Sequence, residues 1–457
     1  MSLLTLLAAT VAAASTPAFS ERPCADARLA GLARCGTVRV PEDRAASAGR
    51  AIDLNIMILP AAATTPDLPP LFDIDGGPGL PATKNAEFYL TAGGAYRARR
   101  AVVLVDQRGT GASSPLNCPG LSASEDAYRE MLPPAAVAVC RAALAAGADL
   151  TRYGTREAVA DLDAVRAALG HDRIDIFALS YGTTVALRYL ATHPGRVRAA
   201  VLMGTAPADA MPPRHHAPAG ERALDLLFED CAADPACRAA FPSPATDLDR
   251  AVAGLASVAG APSPAIFMEK LRSLMYAPLG ARRVPWILHR AAQGDLEPFY
   301  AATRPQGPSL LSDGMFLSVT CAEGLALLDY DAAAAARATR FGDYRLRRQR
   351  EACALWPRAE VAPDHLAPVE TDAAVLFVSG RLDPVTPPDW ADQAARRMPH
   401  ARHIVIPQGG HILGGLSGAD TCFDPVILRF YDTADAAALD AACLAEMKAP
   451  PFATEDR

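Results

Sequence analysis

The sequence has no Cys-x-x-Cys pair and no cluster of cysteine with histidine, so the spacings of structural zinc sites are missing. Nor does it have a long run of one charge. A formal net charge of −7 is spread along 457 residues, leaving neither the basic footprint of a nucleic-acid binder nor a polybasic patch for a membrane surface. Past the N-terminus no stretch reaches the ~20 unbroken apolar residues of a spanning helix, so no integral membrane segment is expected in the mature chain. Internal repeats and low-complexity linkers are also missing, which sets aside solenoids and tethered arrays. What remains is a globular composition, 51% hydrophobic and 21% charged, long enough for one large enzyme domain with an insertion or for two or three average domains.

Residues 1–20, "MSLLTLLAATVAAASTPAFS", form an apolar stretch ending in small residues, the pattern of a signal peptide with a cut after Ala14 or Ala18. It lacks the usual Lys or Arg at its start, and a buried N-terminal helix is the alternative. Ten cysteines fall into neighbouring pairs: Cys24 and Cys35, Cys118 and Cys140, Cys231 and Cys237, Cys321 and Cys353, Cys422 and Cys443. Sequence does not fix connectivity, but sequential pairing is the simplest arrangement. An even count behind a leader suits an oxidising compartment, hence a secreted or periplasmic location; ten reduced, buried thiols are the other reading.

Short apolar runs alternate with helical patterns. "IDLNIMILPA", "PLFDIDGGPG" and "AVVLVDQRGTG" read as strands, and "TREAVADLDAVRAALG" as a helix. Strand "RIDIFALS", helix "YGTTVALRYLATHP" and strand "VRAAVLMG" follow. This alternation predicts a mostly parallel sheet covered by helices. It breaks over residues 207–368, which are helical and proline-dotted, then resumes with "AAVLFVSG", "PPDWADQAARRM", "RHIVIP" and "DPVILRFYD". The expected organisation is a leader (1–20), a core in two parts (21–206 and 369–457) and a mainly helical cap inserted between them (207–368).

Ser180 lies at a strand-to-helix junction between Ala178 and Gly182, where a sharp turn tolerates only small neighbours and lifts the hydroxyl above the sheet. The pattern is Ala-x-Ser-x-Gly where Gly-x-Ser-x-Gly is usual. A serine needs a base, and the base needs a carboxylate to hold its tautomer. Asp383 and His411 follow in that order, each at the end of an expected strand, where open sheets bind ligands. Three such residues in order outweigh the bland reading of each as a turn opener or loop histidine. The backbone N–H of Tyr181 and that of Gly77, in "DGGPG", are the expected oxyanion donors. In "DQRGTG", Asp106 and Arg108 are expected to pair with each other and hold the loops. The chemistry implied requires no cofactor and no metal.

The set "GGPG", "DQRGTG", "SYGT", "SGRLDPVTPP" and "GGH" resembles the prolyl aminopeptidase group of α/β-hydrolases, and most of all its secreted bacterial tripeptidyl aminopeptidase branch. "CAADPACRAAFP", "VTCAEGLAL" and "CFDPVILRFYDT" extend the likeness through nearly the whole mature chain. The resemblance implies an α/β-hydrolase fold and a serine exopeptidase releasing proline or a short peptide from a free N-terminus, with Ser180, Asp383 and His411 as its triad. Two departures stand out: Asp75 occupies the place of a usual His before Gly-Gly-Pro-Gly, and the familiar cap motif for the substrate amine is not found. A buried ammonium still needs a carboxylate; Glu323 in "CAEG" is the candidate, against the reading of an exposed helix glutamate. An esterase acting on small acyl esters is the alternative with the same triad, and a non-catalytic binding protein is a third reading that an intact triad opposes.

Overall fold

The computed structural model describes residues 17–46, 49–121, 127–210, 212–328 and 331–455. The expected leader falls mostly outside them. Its last two positions, Phe19 and Ser20, belong instead to strand β1 (Phe19–Arg22), paired with β2 (Arg34–Pro41). Neither strand is among those expected from periodicity.

The expected strands become β3 (Ala51–Leu59), β4 (Leu71–Ile74), β5 (Val102–Val105), β6 (Ile174–Leu179), β7 (Val197–Met203), β8 (Ala374–Gly380) and β9 (Ala401–Ile406). All nine form one sheet in the order β1-β2-β3-β5-β4-β6-β7-β8-β9. Pairing is antiparallel from β1 to β5 and parallel from there to β9, so the sheet is mostly parallel, as the alternation implies.

Strand residues alternate between two buried clusters because successive side chains point to opposite faces. Phe72, Val103, Ala200 and Leu202 join helices α1 (Thr155–Ala168) and α2 (Tyr181–Thr192) on one face. Leu71, Val102, Leu104 and Val201 meet the last helix, Asp424–Thr433, on the other. Between β7 and β8 the chain is helical. It includes α3 (Pro212–Ala233), α4 (Pro264–Leu274) and α5 (Tyr344–Leu355), and most of a third cluster, around Phe267, Trp286 and Phe299, comes from this stretch.

All five sequential cysteine pairs are bonded, with Cα–Cα separations between 5.1 and 6.0 Å. The reduced-thiol reading is thereby set aside. No helix among the described residues is long and apolar enough to cross a membrane.

Candidate active site

Ser180 ends β6 and opens α2 with φ 57° and ψ −128°, a left-handed conformation that a non-glycine residue adopts only under strain. Its surroundings explain the small neighbours. A Cβ on Gly182 would lie 2.1 Å from the Ile74 carbonyl oxygen, and one on Gly76 would lie 2.8 Å from the Ser180 Cβ. The Ser180 N–H donates to the Met203 carbonyl at 3.0 Å, tying the elbow to the end of β7.

Asp383 and His411 come together after β8 and β9. His411 Nδ1 lies 2.8 Å from Asp383 Oδ2, and both side chains are buried. A carboxylate only accepts, so Nδ1 carries the proton and Nε2 is left to act as a base. The other Asp383 oxygen accepts from the backbone N–H groups of Val385 and Thr386 at 2.8 and 2.9 Å. Burial pushes the Asp383 carboxyl up, but the neighbouring His411 and the Thr386 bonds outweigh it and hold the group below its ordinary value. Thr386 Oγ1 also donates to Asp383 Oδ2 at 2.7 Å. The imidazole packs over Gly204, where a Cβ would come within 2.9 Å of its Cε1, and edge-on to the Tyr276 ring at 5.1 Å. Gly204 follows Met203, so the base and the elbow meet at the same end of β7.

In the glycine loop, the Gly76 N–H donates to Asp75 Oδ1 at 2.6 Å. The N–H of Gly77 donates to no acceptor among the described residues, and Gly77 lines one cavity with Ser180 and Tyr181. Asp75 therefore serves its own loop. Asn85 Nδ2 donates to it at 3.0 Å, and Lys84 Nζ pairs with it at 2.5 Å. Behind it, burial and the nearby Asp75 raise the Asp73 carboxyl to about 7.

The expected pairing of Asp106 with Arg108 is not found. Arg108 instead pairs with Asp161, at 2.6 and 2.8 Å, and reaches the carbonyls of Glu42 and Arg152. Asp106 accepts from Asn55 Nδ2, the backbone and hydroxyl of Thr83, and the Ala112 N–H. Both residues brace loops; the buried Arg108 guanidinium is met by the Asp161 carboxylate, which also pairs with Arg44, and by the two carbonyls.

Glu323 is in the Ser180 cavity, a space of about 90 Å³, and it is not the exposed helix glutamate of the alternative reading. It sits in a π-helical turn, Thr320–Gly324, with its side chain 12% exposed. The Thr155 N–H, at the start of α1, donates to Oε1 at 2.6 Å, and the Thr155 hydroxyl donates to Oε2. A carboxylate offers about four lone-pair positions, so these two bonds leave capacity for another donor. His365 lies 3.9 Å away, its imidazole lowered to about 4 by burial, and the Glu157 carboxylate is a second, like-charged neighbour. Burial, with a smaller contribution from the Glu157 carboxylate, outweighs the Thr155 bonds and raises Glu323 to about 7.

Sequence reasoning missed Thr386 and Thr155, and it did not single out Gln349 and His216, which line the same cavity as Ser180. Thr386 was legible, since a hydroxyl three residues after an aspartate commonly bonds back to it. Thr155, Gln349 and His216 carry no local signal.

The profile of the α/β hydrolase fold family matches residues 76–415. Over 137 residues the chain is 32% identical to a probable proline iminopeptidase of Streptomyces coelicolor, covering 30% of this chain and 33% of that protein. Over 91 residues it is 36% identical to the serine protease Hip1 of Mycobacterium tuberculosis, covering 19% of this chain and 18% of that protein. The aligned segments thus span about a third or less of these relatives. A solved proline iminopeptidase of Mycobacterium smegmatis superposes over 88% of this chain and 99% of its own at 16% identity, with a TM-score of 0.45.

Proposed function

Since the chain belongs to the α/β-hydrolase fold family, we propose that it is a secreted serine aminopeptidase cutting peptide bonds near a free N-terminus, with release of proline or a short peptide. In this reading Ser180 Oγ attacks the scissile carbonyl while His411 Nε2 takes its proton, and Asp383 balances the imidazolium. The N–H groups of Tyr181 and Gly77 receive the oxyanion, and His411 returns the proton to the departing amine. Water then attacks the acyl-enzyme by the same route in reverse, releasing the N-terminal fragment and freeing Ser180.

One observation carries the reading: a buried carboxylate, Glu323, shares the cavity of Ser180 and pairs with no lysine or arginine among the described residues. An ammonium group at the end of a peptide is the complement such a carboxylate needs. An esterase has no use for it. The helical residues 207–368 contribute Glu323 and act in this reading as a cap limiting access to chain ends. Peptidase-named relatives point the same way, and five disulfides suit an oxidising compartment.

The test is hydrolysis of free-amine proline and tripeptide anilides, the same anilides N-blocked, and a short nitrophenyl ester. The expected result is cleavage of free-amine anilides alone, abolished in Ser180→Ala. In Glu323→Gln the Michaelis constant for those substrates should rise about tenfold or more, the scale of losing one partner of a desolvated charge pair. Ester turnover with every anilide untouched would move the protein to the esterase reading.

A further inference from the structure

Gln349 is 1% exposed and lines the Ser180 cavity, yet neither Nε2 nor Oε1 of its amide has a hydrogen-bond partner among the described residues. Other buried side chains with an unpaired atom, such as Gln107, Arg222 and Arg272, are bonded through their remaining atoms. Nδ1 of His216, on α3, lines the same cavity and is also unpaired. Burial, and then the Arg272 and Arg345 guanidiniums, hold this imidazole well below its ordinary value, so it is neutral. Unpaired buried polar groups are rare in folded proteins, and a cluster of three atoms in one cavity calls for an explanation.

These atoms are held in place rather than loose. Gln349 lies on α5, four residues before Cys353, whose disulfide to Cys321 ties that helix to the turn bearing Glu323. Arg348 donates from the same helix to the carbonyls of Met131 and Leu132. The Arg345–Glu269 pair, at 2.7 Å, joins α5 to α4.

We propose that Gln349, assisted by His216, is the receptor for a peptide group of the substrate lying between the terminal amine and the scissile bond. A carboxamide carries both an acceptor and a donor; because the C=O and N–H of a trans peptide unit point to opposite sides, Gln349 Oε1 accepts from the substrate N–H and its Nε2 is left for a neighbouring carbonyl. The alkyl chain of a simple ester offers neither. A single-residue anilide has no peptide group before its scissile bond. Chains with at least one internal peptide bond therefore gain an interaction here that shorter substrates lack. The inference rests on the aminopeptidase reading and adds the part of the substrate read beyond its amine.

The experiment compares a free-amine dipeptidyl anilide with its depsipeptide analogue, in which an ester oxygen replaces the internal N–H, using the intact protein. Wild type should prefer the amide about tenfold in kcat/KM. In Gln349→Met, similar in length but without the amide, that ratio should fall towards one. Gln349→Asn, which keeps the group on a shorter stem, should give an intermediate ratio and serves as the readout if the methionine variant does not fold. A wild-type ratio of one, or a ratio unchanged by the variants, would overturn the proposal while the aminopeptidase reading stands. Cleavage of single-residue free-amine anilides with longer ones refused would do the same. Turnover of a nitrophenyl ester alone would overturn both.

Discussion

Ser180 and Glu323 are each held in a state that the isolated residue would avoid. The serine carries a positive φ of 57°, and the glutamate is a carboxyl without a full counter-charge, raised to about 7. Both states persist because the surrounding packing over-determines them, which is common where strain serves chemistry. The Glu323 shift has a testable sign. In the proposed reading the group is ionised above about pH 7 and pairs with a substrate ammonium, which the neutral acid below that pH cannot do. The Michaelis constant for free-amine substrates should therefore rise as pH falls through about 7, and Glu323→Gln should flatten that rise. Steady-state kinetics of wild type and Glu323→Gln between pH 5.5 and 8.5, a window of roughly 1.5 units either side, isolate this contribution by comparison. A profile of the Michaelis constant identical in wild type and variant would remove Glu323 from amine recognition.

At the scale of elements, the site is assembled by ties between the sheet and the helical stretch. From α3, Arg222 donates to the carbonyls of Arg381 and Asp383, each at 3.0 Å, so a residue 161 positions before Asp383 braces the turn that bears it. The Cys321–Cys353 bond closes a separation of 32 residues and joins the Glu323 turn to the Gln349 helix. A bridge over a loop of that size contributes about 3–4 kcal/mol in the chain-entropy account. The double variant Cys321→Ser, Cys353→Ser should unfold at lower temperature by calorimetry. Its Michaelis constant for free-amine anilides should rise more than its kcat falls, because Ser180, Asp383 and His411 lie outside the bridged segment. Equal effects on both constants would mean that the bridge supports the whole fold rather than the amine pocket.

For the whole molecule, five bridges distributed from Cys24 to Cys443 make redox state a global property. Peptide mapping without reductant of protein purified from its own cell envelope or medium should return all five sequential pairs. Free thiols throughout would undo both the bridges and the secreted location. Strands β5, β7 and β8 were legible from sequence because they are nearly continuous apolar runs, buried on both faces and ended by glycine or polar turns. Strands β1 and β2 were not. Phe19–Arg22 has only four residues, largely exposed, and is held by pairing with Arg34–Pro41 rather than by a pattern of its own.

The chain sequence alone determined the order of strands and helices, the small residues at 178 and 182, and the succession Ser180, Asp383, His411. Each of these depends on local backbone geometry or on a side chain placed at a strand end. Tertiary structure decided the partners of every buried charge: Asp161 rather than Asp106 for Arg108, and Thr155 beside Glu323. It also decided that Gln349 and His216 face the serine. The physical reason is that a buried charge or amide is satisfied by whatever donor or acceptor the packing brings within about 3 Å, and residues 53 to 168 positions apart leave no periodic trace of that meeting.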